Sequence, residues 1–285
     1  MRWTGGRRST NVEDYRGRRM GGAGVKLGAG ALVVVLLGWF FGIDPRLILG
    51  LMQGVQTTQV EPPPPGGVQQ TGRASDELAD FMSAVLYDTE VTWTTLFAER
   101  GTQYVLPTLV LFDDVAVSAC GEAASAVGPF YCPLDRKVYI DLTFYRELKD
   151  QFQAPGDFAQ AYVLAHEVGH HVQNLAGTSG KVRELQQRSS EAEANALSVR
   201  LELQADCYAG IWAHHADRSR QILETGDVEE ALGAAAAVGD DTIQKRARGH
   251  VVPESFTHGS AEQRKRWFDT GLRNGTLEAC DTFGA

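Results

Sequence analysis

Cysteine is scarce in this 285-residue chain, four in all, and no two of them form a Cys-x-x-Cys pair. A structural zinc ribbon is built on such pairs, so their lack argues against one. Positive charge is in short supply as well. The formal net charge is −9, and residues 1–26 hold seven Lys/Arg against Glu13 and Asp14, a net of +5 that leaves −14 on the remainder. Phosphate contacts need clustered cations, so an acidic body of this kind excludes nucleic acid as a partner. No internal repeat is visible, and the chain reads as one sizeable domain with appendages.

Long apolar runs are also few. Leu27–Ile43 carries no charge and covers about 25 Å as a helix, slightly short of a hydrocarbon core. Trp39, Phe40 and Phe41 suit the interface that would make up the difference. A cleaved signal peptide wants a small-x-small site after its apolar run, and the stretch Gly38 to Pro45 offers a poor one. A single-pass anchor explains both the run and its basic flank. Arg7, Arg8, Arg16, Arg18, Arg19 and Lys26 would then hold the N-terminus in the cytoplasm, with the folded domain outside and membrane lipid as one partner. The division is a basic cytoplasmic tail, 1–26, expected to be disordered; a transmembrane signal-anchor region, 27–52; a Pro/Gly-rich linker, 53–74; and a folded domain, 75–285.

Within that domain, Asp76–Ala98 reads as an amphipathic helix. Thr108–Val117 and Val138–Asp141 read as strands, and a short helix runs from about Thr143 to Phe152. Further helical regions are expected over Asp157–Leu175, Lys181–His214 and Asp227–Arg248. Ser260 opens a last helix, with Gln263 completing a capping box. The fold class is α+β: mainly helical, with a small sheet, preceded by the transmembrane helix.

The stretch around which the chain is organised is Ala165-His166-Glu167-Val168-Gly169-His170-His171. Two histidines four apart lie one helical turn above each other, so both imidazoles reach one metal ion. Phe158, Ala161, Tyr162, Ala165, Val168, Gly169 and Val172 share one apolar face, with His166 and His170 at its margin. Glu167 falls further toward the polar side, where it can take a proton from a metal-bound water.

Catalytic zinc needs a third protein ligand and a fourth position open to water. Among the downstream candidates Glu202 stands out, one turn before Asp206. Both lie at the margin of a stripe formed by Ala194, Leu197, Leu201, Ala205, Tyr208 and Trp212. Two helices packed through their stripes, with Gly169 allowing close approach, would bring both margins to one cleft. Asp206 would then accept the other N–H of a ligating histidine.

His166-Glu167-Val168-Gly169-His170 with Glu202-x-x-x-Asp206 resembles a gluzincin-type metallopeptidase. More specifically it resembles the bacterial family of putative neutral zinc metallopeptidases. Further local matches are Cys120-Gly121, Gly128 to Pro133, Val138 to Asp141, Leu201 to Gly210 and Phe256 to Ser260, so the likeness covers roughly residues 70–281. The resemblance implies a zincin-like metallopeptidase domain and one catalytic Zn2+ held by His166, His170 and Glu202. It also implies Glu167 as general base, a peptide or protein substrate, and His258 or Tyr131 as a partner of the oxyanion.

A strand edge near Val138–Asp141 could align the substrate. Cys120 and Cys132 bracket a Gly/Ala/Ser-rich loop, and Cys207 with Cys280 would tie the C-terminus to the Glu202 helix. Three pairings are formally possible, and any of them suits an oxidising compartment. Two other functions stay open: a membrane-tethered binding module with a silent zinc site, and a zinc amidase acting on cell-wall material.

Overall fold

The computed structural model describes residues 1–17, 76–124, 128–150 and 154–284. One folded unit contains Met1–Arg16 together with Arg73–Ala285. Its sheet has the order β1 (Val12–Asp14), β2 (Thr108–Phe112), β6 (Lys137–Asp141), β5 (Phe130–Cys132). β1, β2 and β6 run parallel, whereas β5 is antiparallel to β6. In β2 and β6 alternate residues pack to opposite faces. Leu109, Leu111, Val138 and Ile140 meet the main helical core, while Val110, Phe112 and Tyr139 close a smaller cluster on the other side. Inner parallel strands covered on both faces are apolar throughout for this reason.

The expected strand Thr108–Val117 is divided. Asp114 takes a left-handed φ of 64°, and its N–H donates to the Asp141 carboxylate at 3.2 Å. This turn takes the chain off the ladder and into a separate hairpin, β3 (Val115–Ser118) with β4 (Gly121–Ala124).

α1 (Glu77–Glu99) is capped by Asp76, which accepts from the N–H groups of Leu78 and Ala79. α2 (Thr143–Asp150) leads to α3 (Asp157–Leu175), the helix that carries the His-Glu-x-x-His stretch. The region Lys181–His214 is two helices, α4 (Thr178–Gln186) and the 30-residue α5 (Glu191–Arg220), because Ser190 and Glu193 form a capping box that starts the second. Asp227–Arg248 is likewise two, α6 (Asp227–Ala237) and α7 (Asp240–Arg248), parted at Gly239. Ser260 and Gln263 form the capping box of α8 (Ala261–Asn274).

Three of these helices are pressed together where side chains are smallest. A Cβ at Gly169 would lie 2.9 Å from the Ala205 carbonyl oxygen, so α3 and α5 touch backbone to backbone beside the histidines. A Cβ at Gly271 would lie 1.9 Å from the Cys207 carbonyl oxygen, which seats α8 against α5. Phe158 stacks on Trp212 at 5.7 Å, and both are fully buried. Burial of each such side chain stabilises the fold by roughly 1.5–3 kcal/mol.

The N-terminal segment corrects an expectation. Residues 1–16 are no disordered tail: β1 pairs with β2, and Trp3 packs edge-on against Phe81. Two of their arginines reach the acidic body, Arg8 pairing with Asp80 at 2.6 Å and Arg16 with Asp76, while Arg16 also pairs with Asp14 of its own segment. A single crossing between residues 16 and 73 would place Arg16 and Asp76 on opposite faces of a bilayer. The expected topology, with a cytoplasmic tail and an external domain, therefore does not fit this fold. The run Leu27–Ile43 and the linker lie outside the described residues. Among those described, no helix is long and apolar enough to cross a membrane.

Candidate metal centre

α3 stacks His166 and His170 one turn apart, their ring centroids 4.8 Å from each other. The α3–α5 contact at Gly169 and Ala205 then sets Glu202 against both. Glu202 Oε2 lies 3.2 Å from His166 Nε2, and Oε1 lies 3.3 Å from His170 Nε2. One ligand atom from each of the three residues lies within 4.8 Å of the others. Ligands about 2.0–2.1 Å from a tetrahedral zinc ion stand roughly 3.3–3.4 Å apart, so two imidazole nitrogens and a carboxylate in this spacing fit zinc. Burial opposes charge on the imidazoles, but Glu202 and Asp206 overcome it, raising His170 and bringing His166 to about 10. Burial likewise opposes charge on Glu202, and the histidines hold its carboxyl well below the usual range. The cluster as a whole draws positive charge.

Behind the two histidines the surroundings differ. His166 Nδ1 lies 2.8 Å from Asp206 Oδ1, a carboxylate with no exposure to solvent. The same carboxylate accepts the Tyr162 hydroxyl at 2.5 Å and two N–H groups of Arg264, Nε at 2.8 Å and Nη2 at 2.9 Å. An acceptor so placed keeps the imidazole proton on Nδ1 and leaves Nε2 to face Glu202. His170 Nδ1 instead donates to the amide oxygen of Gln173 at 2.9 Å. The Gln173 amide donates onward to the Leu201 carbonyl at 2.7 Å, across to α5.

Glu167 is 8% exposed, and its carboxylate makes no hydrogen bond or ion pair within the described residues. Burial raises its pKa, against the pull of both histidines. A buried, uncommitted carboxylate beside two metal-ligand candidates can receive a proton.

His258 sits on the loop before α8, half-exposed, with Gly259 at a φ of 92°. Asp240 builds this loop, its Oδ2 accepting from the backbone N–H groups of Thr257, His258 and Gly259 at 2.7–3.0 Å. Its Oδ1 lies 3.2 Å from His258 Nδ1. Burial opposes charge on the His258 imidazole, but Asp240 and Glu202 raise its pKa, which places it in the field of the cluster.

Tyr131 is drawn elsewhere. Its hydroxyl donates to His171 Nδ1 and accepts from Asn174, both at 2.9 Å, while His171 Nε2 donates to the Val105 carbonyl. That arrangement fastens β5 to α3 and does not present the phenol to the ligand cluster. The expected substrate edge moves too. Val138–Asp141 belongs to β6, an inner strand that β2 pairs throughout and β5 pairs over Lys137–Tyr139, so Val138 and Tyr139 have no edge to offer; β5 is the border of the sheet beside them.

Two disulfides are present, Cys120–Cys132 and Cys207–Cys280, as befits an oxidising compartment. A second acidic group, Asp157 with Asp227 and Glu230, surrounds the Met1 amine at 2.7 Å from Asp157, and that cation already satisfies it.

Sequence reasoning missed Tyr162, Gln173, Asp240 and Arg264. The first two stand one turn from His166 and His170, so helical spacing carries a signal for them. Asp240 and Arg264 are far along the chain from the residues they hold, and no local pattern marks them.

The relatives add a family. The description "Putative neutral zinc metallopeptidase" fits residues 1–283. The chain is 48% identical to the uncharacterized protein YpfJ of Escherichia coli K12, over all of this chain and 99% of that one. It is 46% identical to the uncharacterized protein Rv2575 of Mycobacterium tuberculosis H37Rv, over 64% of each. No solved structure matches. Because the match begins at residue 1, it takes in the β1 segment as well as the helices that carry the histidines, and the chain belongs to the putative neutral zinc metallopeptidase family.

Proposed function

We propose that this protein hydrolyses peptide bonds, with zinc held by His166, His170 and Glu202 and with Glu167 as general base. The observation that carries this reading is the convergence of two imidazole nitrogens and a carboxylate oxygen within 4.8 Å of one another, beside a buried carboxylate that no hydrogen bond or ion pair engages among the described residues. Zinc, when bound, supplies Lewis-acid polarisation of the scissile carbonyl and a water of lowered pKa. Glu167 takes the proton from that water and hands it to the leaving nitrogen. A structural zinc site needs no such base, which weighs against a silent binding module.

His258, steered by Asp240, donates to the developing oxyanion. An extended substrate lies along β5, the strand that Tyr131 and His171 tie to α3. The unbroken apolar run Leu27–Ile43 supports attachment to membrane lipid.

Digestion of an unfolded protein by the zinc-loaded full chain tests the reading. Cleavage is expected, lost with a chelator and reduced at least about 10²-fold in Glu167→Gln. A folded, zinc-loaded wild type that cleaves nothing, or a variant as active as the wild type, would overturn it.

A further inference from the structure

We propose that Arg264 is a positioning residue for the metal centre: it acts through Asp206 to fix His166 as a ligand and joins the His258 loop to the same helices. The proposal rests on the zinc reading above and extends it to a residue on a third helix.

The hydrogen positions follow from the distances. Arg264 Nη2 lies 3.4 Å from His166 Nδ1 and 2.9 Å from Asp206 Oδ1, while His166 Nδ1 lies 2.8 Å from that same oxygen. A guanidinium only donates. If Nδ1 accepted from Arg264, it would carry no proton, and two lone pairs would face each other at 2.8 Å. The short contact is therefore Nδ1–H to Oδ1, and the 3.4 Å approach is a neighbour rather than a bond. Arg264 secures this arrangement by gripping Asp206 side-on through Nε and Nη2, which holds the carboxylate plane and keeps both guanidinium protons off the imidazole. Arg264 is 4% exposed and Asp206 not at all, so neither charge has water as an alternative partner.

The placement of Arg264 in the chain adds a second consequence. It stands on the first turn of α8, six residues after His258. Asp240 holds the backbone of residues 257–259, and Asp241 accepts the Ala261 N–H at 2.7 Å. Arg264 also donates to the Val238 carbonyl at 3.3 Å, at the end of α6. One rigid segment thus carries both His258 and the residue that sets His166. Lysine at this position keeps the charge but loses the planar fork.

The test is zinc affinity, measured by competition with a chelator, in the full chain carrying Arg264→Lys, Asp206→Asn or both. Circular dichroism selects the variants that fold. Each single change should weaken zinc binding by about 10–100-fold, the usual cost of losing a partner behind a metal ligand. The double variant should be no worse than the weaker single one, because the two residues act in series. Cobalt substituted for zinc should give an altered visible spectrum in Arg264→Lys, as a turned His166 changes the ligand field.

Wild-type affinity and spectrum in a folded Arg264→Lys variant would overturn the proposal, as would additive losses. A purely structural arginine would lower the melting temperature and leave affinity unchanged, which also counts against it. Zinc binding without peptide cleavage would sink the peptidase reading alone, because these readouts are binding and spectrum. A wild type that binds no zinc would sink both.

Discussion

His166 and His170 stand one turn apart on α3 and face the same carboxylate, yet what lies behind each is different chemistry. Behind His166 are a buried carboxylate, a buried guanidinium and a phenol drawn from three helices. Behind His170 is one neutral amide from its own helix, bonded in turn to the backbone of the next. Charge without water must be matched in full, so the first arrangement tolerates no missing member. An amide loses less on replacement because, although Gln173 is itself buried, removing it strands no ionised side chain of the kind Asp206 holds in Arg264. The metal centre is therefore rigid on one side and forgiving on the other.

Removing one partner of the charged group should have the largest effect. Asp206→Ala leaves Arg264 buried and unpaired, and is expected to cost about 3–5 kcal/mol of stability in urea unfolding together with most of the zinc affinity. A loss below about 1 kcal/mol would mean that water reaches the guanidinium and the contrast is false.

Acid should separate the two sides next. Burial works against ionisation of Asp206, but Arg264 and His166 prevail and bring its pKa down to about 2 from 3.8. The unfolded chain therefore binds the proton more readily than the folded one. The resulting stability, about 2 kcal/mol, is complete above pH 4 and disappears as pH falls through 2. Unfolding of the metal-free protein between pH 5 and 2 should show a steeper slope in the wild type than in Asp206→Asn, where Glu202 still contributes. Identical slopes in the two would remove Asp206 as its source.

Gln173→Ala should do least. About 1–2 kcal/mol of stability and a few-fold in zinc affinity are expected, since three hydrogen bonds are lost, to His170, Leu201 and Gln204, but no buried ion is left without its counter-charge. An effect as large as that of Asp206→Ala would make the two sides equivalent after all.

Much of this centre is legible in the chain before folding. His166, Glu167 and His170 are set by helical spacing, and Glu202 and Asp206 repeat that spacing on a second helix. Gly169 is readable as a contact because only a missing side chain lets two helices meet. The capping boxes at Ser190 and Ser260 have the same local character, although the first shows itself only when the helical region is seen to break there. Arg264 and Asp240 have no such mark. Their partners lie 58 and 18 residues away, and an arginine one turn into a helix reads as a surface cation until its neighbours are known.

The N-terminal arginines mislead for a related reason. Counted along the chain they form a basic tail, and basic tails beside apolar runs suggest a membrane topology. In the folded unit two of them, Arg8 and Arg16, meet Asp14, Asp76 and Asp80. Their sign was readable and their partners were not.

By itself the sequence determined which atoms can hold a metal ion and which can take a proton, because side-chain chemistry and the 3.6-residue helical repeat are local properties. The tertiary structure alone decided which strand borders the sheet, which tyrosine is drawn away from the cluster, and which cation fixes Asp206. Those depend on contacts between residues distant in sequence, where burial sets the strength of every charge and no spacing rule applies.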